Sequence, residues 1–309
     1  MVIGTGKYRY SWIDDWVKIP DSSSCRENGR THGIVIARDR SVIIFNQSVS
    51  SVLTYNKEGK LIGSWGEQFK GAHGLTLVEC NGKEFLWLTD ENSGEVVKAS
   101  LSGKIVQSIK KPDIKIYNNG SYSPTWVAEF EDSKRGNGDI WLADGYGSSL
   151  VHRYDKNGNY LQILTGEEGA GRFNCPHSLF IDYRKNNPEL YIADRGNKRF
   201  QVYDLDGKFN RTFGEDIFGC PCGGIEKDGT LYIPELCARL ALLDEKDKLI
   251  CYLGQNEETC NLETWPNNPE KLIQQGKFNS PHHLAVDDSN NIYVVEWIIG
   301  GRITKLEKI

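Results

Sequence analysis

The sequence predicts an all-β fold, a six-bladed β-propeller with four-stranded antiparallel blades. Three observations predict it. A short phrase recurs six times, a small or proline residue followed by an apolar strand, at intervals of about 40 to 60 residues, the spacing of propeller blades. Each copy leads to a second apolar strand that ends in a polar residue. Two more strands follow in every unit but the last, which has one, often joined by a turn on glycine, and no long amphipathic helical period competes.

The opening phrases read Thr31-His32-Gly33-Ile34, Ala72-His73-Gly74-Leu75, Pro124-Thr125-Trp126-Val127, Pro176-His177-Ser178-Leu179, Pro221-Cys222-Gly223-Gly224 and Pro281-His282-His283-Leu284. Blades therefore begin near residues 32, 73, 124, 176, 221 and 281 of a single domain covering 1–309. The fourth unit shows the grammar best. Pro176–Asp182 and Leu190–Asp194 are apolar runs, Arg199–Tyr203 alternates, and Asp206-Gly207 turns the chain into Phe209–Gly214. The second strands of the others end at Asn46, Asp90, Asp144, Glu235 and Glu296. The sixth unit runs out after its third strand, so an N-terminal strand at residues 8–16 is expected to complete it and leave no open edge. A short helix is expected only near residues 269–275.

Composition narrows the function. The chain has 309 residues, 39% of them hydrophobic and a formal charge of −5, enough for a large core and wrong in sign for a nucleic-acid binder, which needs clustered Lys and Arg. No apolar run reaches membrane-spanning length, and mean hydropathy is −0.50. No signal-peptide pattern opens the sequence, and the eight scattered cysteines read as mostly buried thiols, so a cytoplasmic protein is expected. The one close pair, Cys220 and Cys222, lacks thiolate-zinc spacing.

Five of the six histidines sit in the opening phrase. In a propeller the first strand of each blade lines the central channel, so His32, His73, His177 and His282 should share one mouth of it. His73, His177 and His282 belong to alternate blades, which suits a single ion capped by three imidazoles with coordination left open for water or substrate. His283 is one residue out of register, and His152 falls in a third strand as a structural residue. The strand-ending acids are expected to tie down the turns that follow them.

Taken together, these residues resemble NHL-repeat propellers and, more closely, the peptidyl-α-hydroxyglycine α-amidating lyases. The resemblance runs from blade 2 to blade 6. It is carried by Ala72-His73-Gly74-Leu75, Ser123-Pro124-Thr125, Ala143-Asp144-Gly145-Tyr146-Gly147-Ser148, Gly171-Arg172-Phe173-Asn174-Cys175-Pro176-His177-Ser178-Leu179, Ala193-Asp194-Arg195 and Phe278-Asn279-Ser280-Pro281-His282. It implies metal ligation by His73, His177 and His282, a proton-removing role for Tyr146, and a carboxylate-binding role for Arg195. The metal would be divalent, zinc first, with iron(II) or manganese also suited; a structural calcium is compatible. His32 has no counterpart in the resemblance and is read as a further active-site residue, and Arg30 stands as the candidate second substrate arginine. The turn cysteines of that family are replaced by Gly147 and Gly196.

The expected function is thus a metal-dependent lyase-like or hydrolase-like enzyme for a small polar or anionic molecule, or a peptide terminus. Two other functions fit the same fold. One is a non-catalytic propeller that binds a protein or glycan. The other is a calcium-dependent lactone or ester hydrolase, whose ligands would be Asn46, Asp90, Asp144, Asp194, Glu235 and Glu296. Neither a nucleic acid nor a membrane is an expected partner, and oligomeric state is not encoded in these features.

Overall fold

A computed structural model describes residues 1–309. Its strands form six antiparallel sheets, five of four strands and one of five, the blades of a six-bladed β-propeller. They fall into two compact units, residues 68–215 and residues 1–67 with 216–309.

The first of these units holds blades 2, 3 and 4. Blade 2 runs Ala72–Cys80, Lys83–Asp90, Val96–Ser100 and Ile105–Ile109. Blade 3 runs Trp126–Glu129, Ile140–Asp144, Leu150–Tyr154 and Tyr160–Leu164. Blade 4 runs Pro176–Asp182, Glu189–Asp194, Arg199–Asp204 and Phe209–Phe213. Each blade pairs in chain order. The second strands of blades 3 and 4 are buried along their whole length, which is why they read as unbroken apolar runs, whereas Ile105–Ile109 is mostly exposed. Trp126, Trp141, Leu179, Ile192 and Tyr203 pack one core between blades 3 and 4; Val78, Trp87, Ile140 and Tyr154 pack another between blades 2 and 3.

The other unit holds blades 1, 5 and 6. Blade 1 runs Thr31–Ile36, Val42–Asn46, Val52–Tyr55 and Leu61–Trp65. Blade 5 runs Ile225–Lys227, Thr230–Glu235, Arg239–Leu243 and Leu249–Leu253. Blade 6 has Pro281–Val286, Ile292–Glu296 and Arg302–Lys308, and its fourth strand is the N-terminal Tyr8–Val17. The register sets Tyr10 opposite Lys308 and Trp12 opposite Leu306. Burial of Tyr10 and Trp12 supplies the driving force for this closure. Arg302 adds a polar tie, reaching Glu296 at 2.9 Å and Asp14 of the N-terminal strand at 2.6 Å.

The structure departs from expectation in several places. Val2–Thr5 forms a hairpin with the closing strand, so this sheet has five strands. Ser23–Asn28 is a short α-helix, capped by the Ser22 hydroxyl that accepts from the Cys25 amide at 3.0 Å; six residues are too few to show a period. The first strand of blade 5 starts at Ile225 rather than Pro221, which makes only an isolated bridge to Glu235. Gly223 and Gly224 explain the delay, since glycine has no side chain to pack and the most entropy to lose. The insertion in this unit carries two 3-10 turns, Glu257–Asn261 and Glu270–Leu272. All eight cysteines are thiols, yet only Cys25 and Cys222 are fully buried. No helix is long and apolar enough to cross a membrane.

Candidate functional site

A backbone irregularity aims each phrase histidine. In all four blades that carry one, the ladder between first and second strands slips at the histidine: between Thr31 and Gly33, Ala72 and Leu75, Pro176 and Ser178, and Pro281 and His283. An extra residue in one strand bends it and re-aims the side chain there. His32, His73, His177 and His282 are all buried. His283, on regular pairing, turns to the Ile34 carbonyl at 3.2 Å, and burial lowers its pKa to about 4.

Within residues 68–215 the structure brings His73, His177, Tyr146 and Arg195 together. The His73 Nδ1–H donates to the Thr125 carbonyl at 2.9 Å. That bond fixes the tautomer and leaves Nε2 as the lone-pair nitrogen. His73 Nε2 and His177 Nε2 each lie 3.1 Å from the Tyr146 hydroxyl, with their rings edge-on at 4.8 Å. Arg195 Nη1 donates to the same hydroxyl at 3.3 Å, and its guanidinium lies over the Tyr146 ring at 5.3 Å. Tyr146 as a residue is 37% exposed, so one side of the cluster is open. Burial of the hydroxyl pushes the phenol above its ordinary pKa, and the Arg195 charge pulls it back down.

Tyr146 is placed by its turn. Asp144, at the end of its strand, accepts from the Ser123 amide at 2.7 Å and the Ser148 amide at 2.8 Å. A Cβ on Gly147 would sit 2.1 Å from Asp144 Oδ1, and one on Gly145 would sit 2.5 Å from the Pro176 carbonyl, so both glycines are sterically required.

Two site members are not apparent from sequence patterning. The Thr125 carbonyl orients His73 from a blade with no histidine, and a backbone acceptor leaves no trace in residue identity. The Cys175 thiol accepts from Arg195 Nη2 at 3.3 Å. Its residue type blends with the other scattered cysteines, and only its place just before Pro176-His177 hints at a role.

In the other unit, His282 Nδ1–H donates to the His32 carbonyl at 2.8 Å, and the two rings meet edge-on at 4.6 Å. Arg30 stacks over Trp297 at 5.2 Å and donates to Asn28, while its buried Nε has no partner.

The strand-ending acids tie down turns as expected. Asp90 accepts from the Gly71, Asn92 and Ser93 amides. Asp194, Glu235 and Glu296 each combine backbone amides with an arginine, Arg199, Arg239 and Arg302 respectively. The donor chemistry of the histidines fits a borderline transition metal. Nδ1 of both His73 and His282 is committed to a carbonyl, the usual outer partner of a ligating imidazole, which leaves Nε2 as the nitrogen able to ligate a metal.

Comparison with known proteins agrees with this architecture. A family profile described as "6-bladed beta-propeller" matches residues 130–296. Human "NHL repeat-containing protein 3" is 29% identical over 231 residues, covering 69% of this chain and 63% of the relative. The Caenorhabditis elegans protein named "Probable peptidyl-alpha-hydroxyglycine alpha-amidating lyase pgal-1" is 31% identical over 167 residues, covering 52% of this chain and 44% of the relative. The chain thus spans less than two thirds of the length of these relatives. Among solved structures, a streptogramin B lyase superposes with a TM-score of 0.62 at 14% identity, covering 96% of this chain and 98% of the other. A gluconolactonase from Xanthomonas campestris gives 0.61 at 12%, over 90% and 86%. At such identities these superpositions show the fold alone.

Proposed function

The chain belongs to the DUF5128 family of six-bladed β-propellers, and from that premise we propose that it is a metal-dependent lyase-like enzyme for a small polar or anionic substrate. The alternate-blade pattern of the sequence favours His73, His177 and His282 as the ligands, with zinc first among the candidates. The observation that carries the reading is the convergence of His73 Nε2, His177 Nε2 and Arg195 Nη1 on one phenol hydroxyl. A structural tyrosine needs one partner, whereas this hydroxyl has two imidazoles and a cation beside an open face.

The chemistry follows from the groups. A bound transition metal supplies Lewis acidity toward a substrate hydroxyl. Tyr146 removes or returns a proton at its phenol oxygen, and Arg195 lowers the cost of the phenolate. A guanidinium fork matches a carboxylate, so Arg195 orients an anionic substrate, with the stacked Arg30 as the second candidate anchor. For an α-hydroxyglycine the C–N bond breaks, leaving a terminal amide and glyoxylate. The name borne by the nematode relative supports this substrate class.

The calcium-dependent alternative has less to draw on. The carboxylates it would need are engaged by backbone amides and, in three blades, by arginines. The test is to incubate the purified chain with an α-hydroxyglycine peptide. Release of equal amounts of glyoxylate and peptide amide is expected; no release from metal-replete protein would refute the lyase reading.

A further inference from the structure

The strand-ending acids differ in what holds them. In blades 4, 5 and 6 the residue paired opposite the acid is an arginine: Asp194 opposite Arg199, Glu235 opposite Arg239, Glu296 opposite Arg302. Asp90 of blade 2 is held by backbone amides. In blade 3, the blade of Tyr146, Leu150 stands opposite Asp144, and no arginine bonds the acid. Asp144 Oδ2 instead accepts from the Tyr117 hydroxyl at 2.7 Å, and that hydroxyl lies 2.6 Å from His152 Nε2.

The proton count orders this chain. A phenol has one proton. Asp144 already takes two amide protons, so it is the acceptor and Tyr117 donates to it. Burial and the nearby Asp144 raise the phenol pKa, so Tyr117 keeps its proton. His152 Nε2 must then carry the hydrogen and donate to the Tyr117 oxygen. Its Nδ1 is buried without a partner, which suits a bare lone pair better than a second N–H that would have no acceptor. The ring sits among Tyr117, Tyr154 and Tyr160, with centroids 5.7, 6.5 and 5.9 Å away.

We propose that Tyr117 and His152 are positioning residues for Tyr146, a neutral His152–Tyr117 pair that fixes the Asp144 carboxylate on which the Tyr146 turn is built. The same carboxylate binds the amides of Ser123 and Ser148, on either side of that turn, and Ser123 in turn accepts the Tyr146 amide at 3.3 Å. A neutral pair does the anchoring without adding a cation beneath the turn. Blade 4 shows that an amide can serve at the His152 register: Gln201, two residues after Arg199, donates to Asp194 Oδ2 at 3.2 Å.

The catalytic arm of the test rests on the lyase reading; a second arm does not. Three variants of this chain are compared, Tyr117→Phe, His152→Gln and His152→Leu. Tyr117→Phe and His152→Leu should lower kcat for glyoxylate release about tenfold or more with KM within about twofold, as small misplacements of a catalytic group do. His152→Gln, which keeps a donor toward Tyr117, should retain wild-type kcat. Independently, hydrogen exchange at the Ser123 and Ser148 amides should speed up about tenfold in Tyr117→Phe and His152→Leu and stay slow in His152→Gln. If the wild type releases no glyoxylate, the lyase reading fails and the exchange arm alone decides the role of the pair. Unchanged exchange in Tyr117→Phe, or equal damage in His152→Gln and His152→Leu, overturns the proposal.

Discussion

Replacing Tyr146 by phenylalanine removes one oxygen and leaves the ring, so its effects on folding and on chemistry can be separated. The hydroxyl makes contacts of 3.1, 3.1 and 3.3 Å to His73, His177 and Arg195. The net stability loss should be about 1 kcal/mol, the usual net worth of a hydrogen-bonding group. In a chain of this size that moves Tm by about 2 to 4 °C at most. A proton-transfer group is worth far more to the reaction, roughly 10² to 10⁴ in rate, or about 3 to 5 kcal/mol. Glyoxylate release should fall by that factor, with KM nearly unchanged because Arg195 remains. The wild-type rate should also rise from neutral toward alkaline pH, since the buried phenol ionises late, and the variant should lose that rise. A variant with kcat within about threefold of wild type would show that Tyr146 moves no proton in the slow step.

Two further predictions concern stability. Burial holds the His152 and His283 imidazoles at a pKa of about 4, below the ordinary 6.5, so as pH falls the unfolded chain protonates first. Each should withdraw on the order of 3 kcal/mol of stability between pH 6.5 and 4. Thermal scans across that range should show Tm dropping, and less steeply in His152→Gln; a flat wild-type profile would contradict it. Arg302→Leu should strand the buried Glu296 carboxylate and untie Asp14, costing about 3 to 5 kcal/mol in urea denaturation; a loss below about 1 kcal/mol would mean the ion pair is no anchor of the closing strand.

Much of the fold could be read from the sequence because propeller blades repeat a grammar that depends on residue class. The apolar second strands, the acid at their ends and the glycine turns each have a local physical cause, and the missing fourth strand of blade 6 pointed to residues 8–16, where Tyr8–Val17 lies. The short helix at Ser23–Asn28 was not readable, since its capping Ser22 sits in a serine run that also suits a loop. The late start of blade 5 was present in Gly223-Gly224 but masked by the proline that matched the repeat. At the site, residue types pointed to His73, His177, Tyr146 and Arg195, which the fold sets around one hydroxyl. The bulges that aim the histidines, the Thr125 carbonyl that orients His73 and the contact of Cys175 with Arg195 depend on backbone geometry, which residue identity does not encode.

The account turns on a transition metal held by His73, His177 and His282. Elemental analysis of protein purified without added metal tests it directly, alongside circular dichroism to confirm folding. About one transition-metal ion per chain is expected, as for a single three-histidine centre, lost in His73→Ala, His177→Ala and His282→Ala and kept in His32→Ala. Folded His177→Ala protein that retains its metal would contradict the ligand set, and folded wild-type protein that releases glyoxylate with no metal bound would contradict the metal-centred account itself.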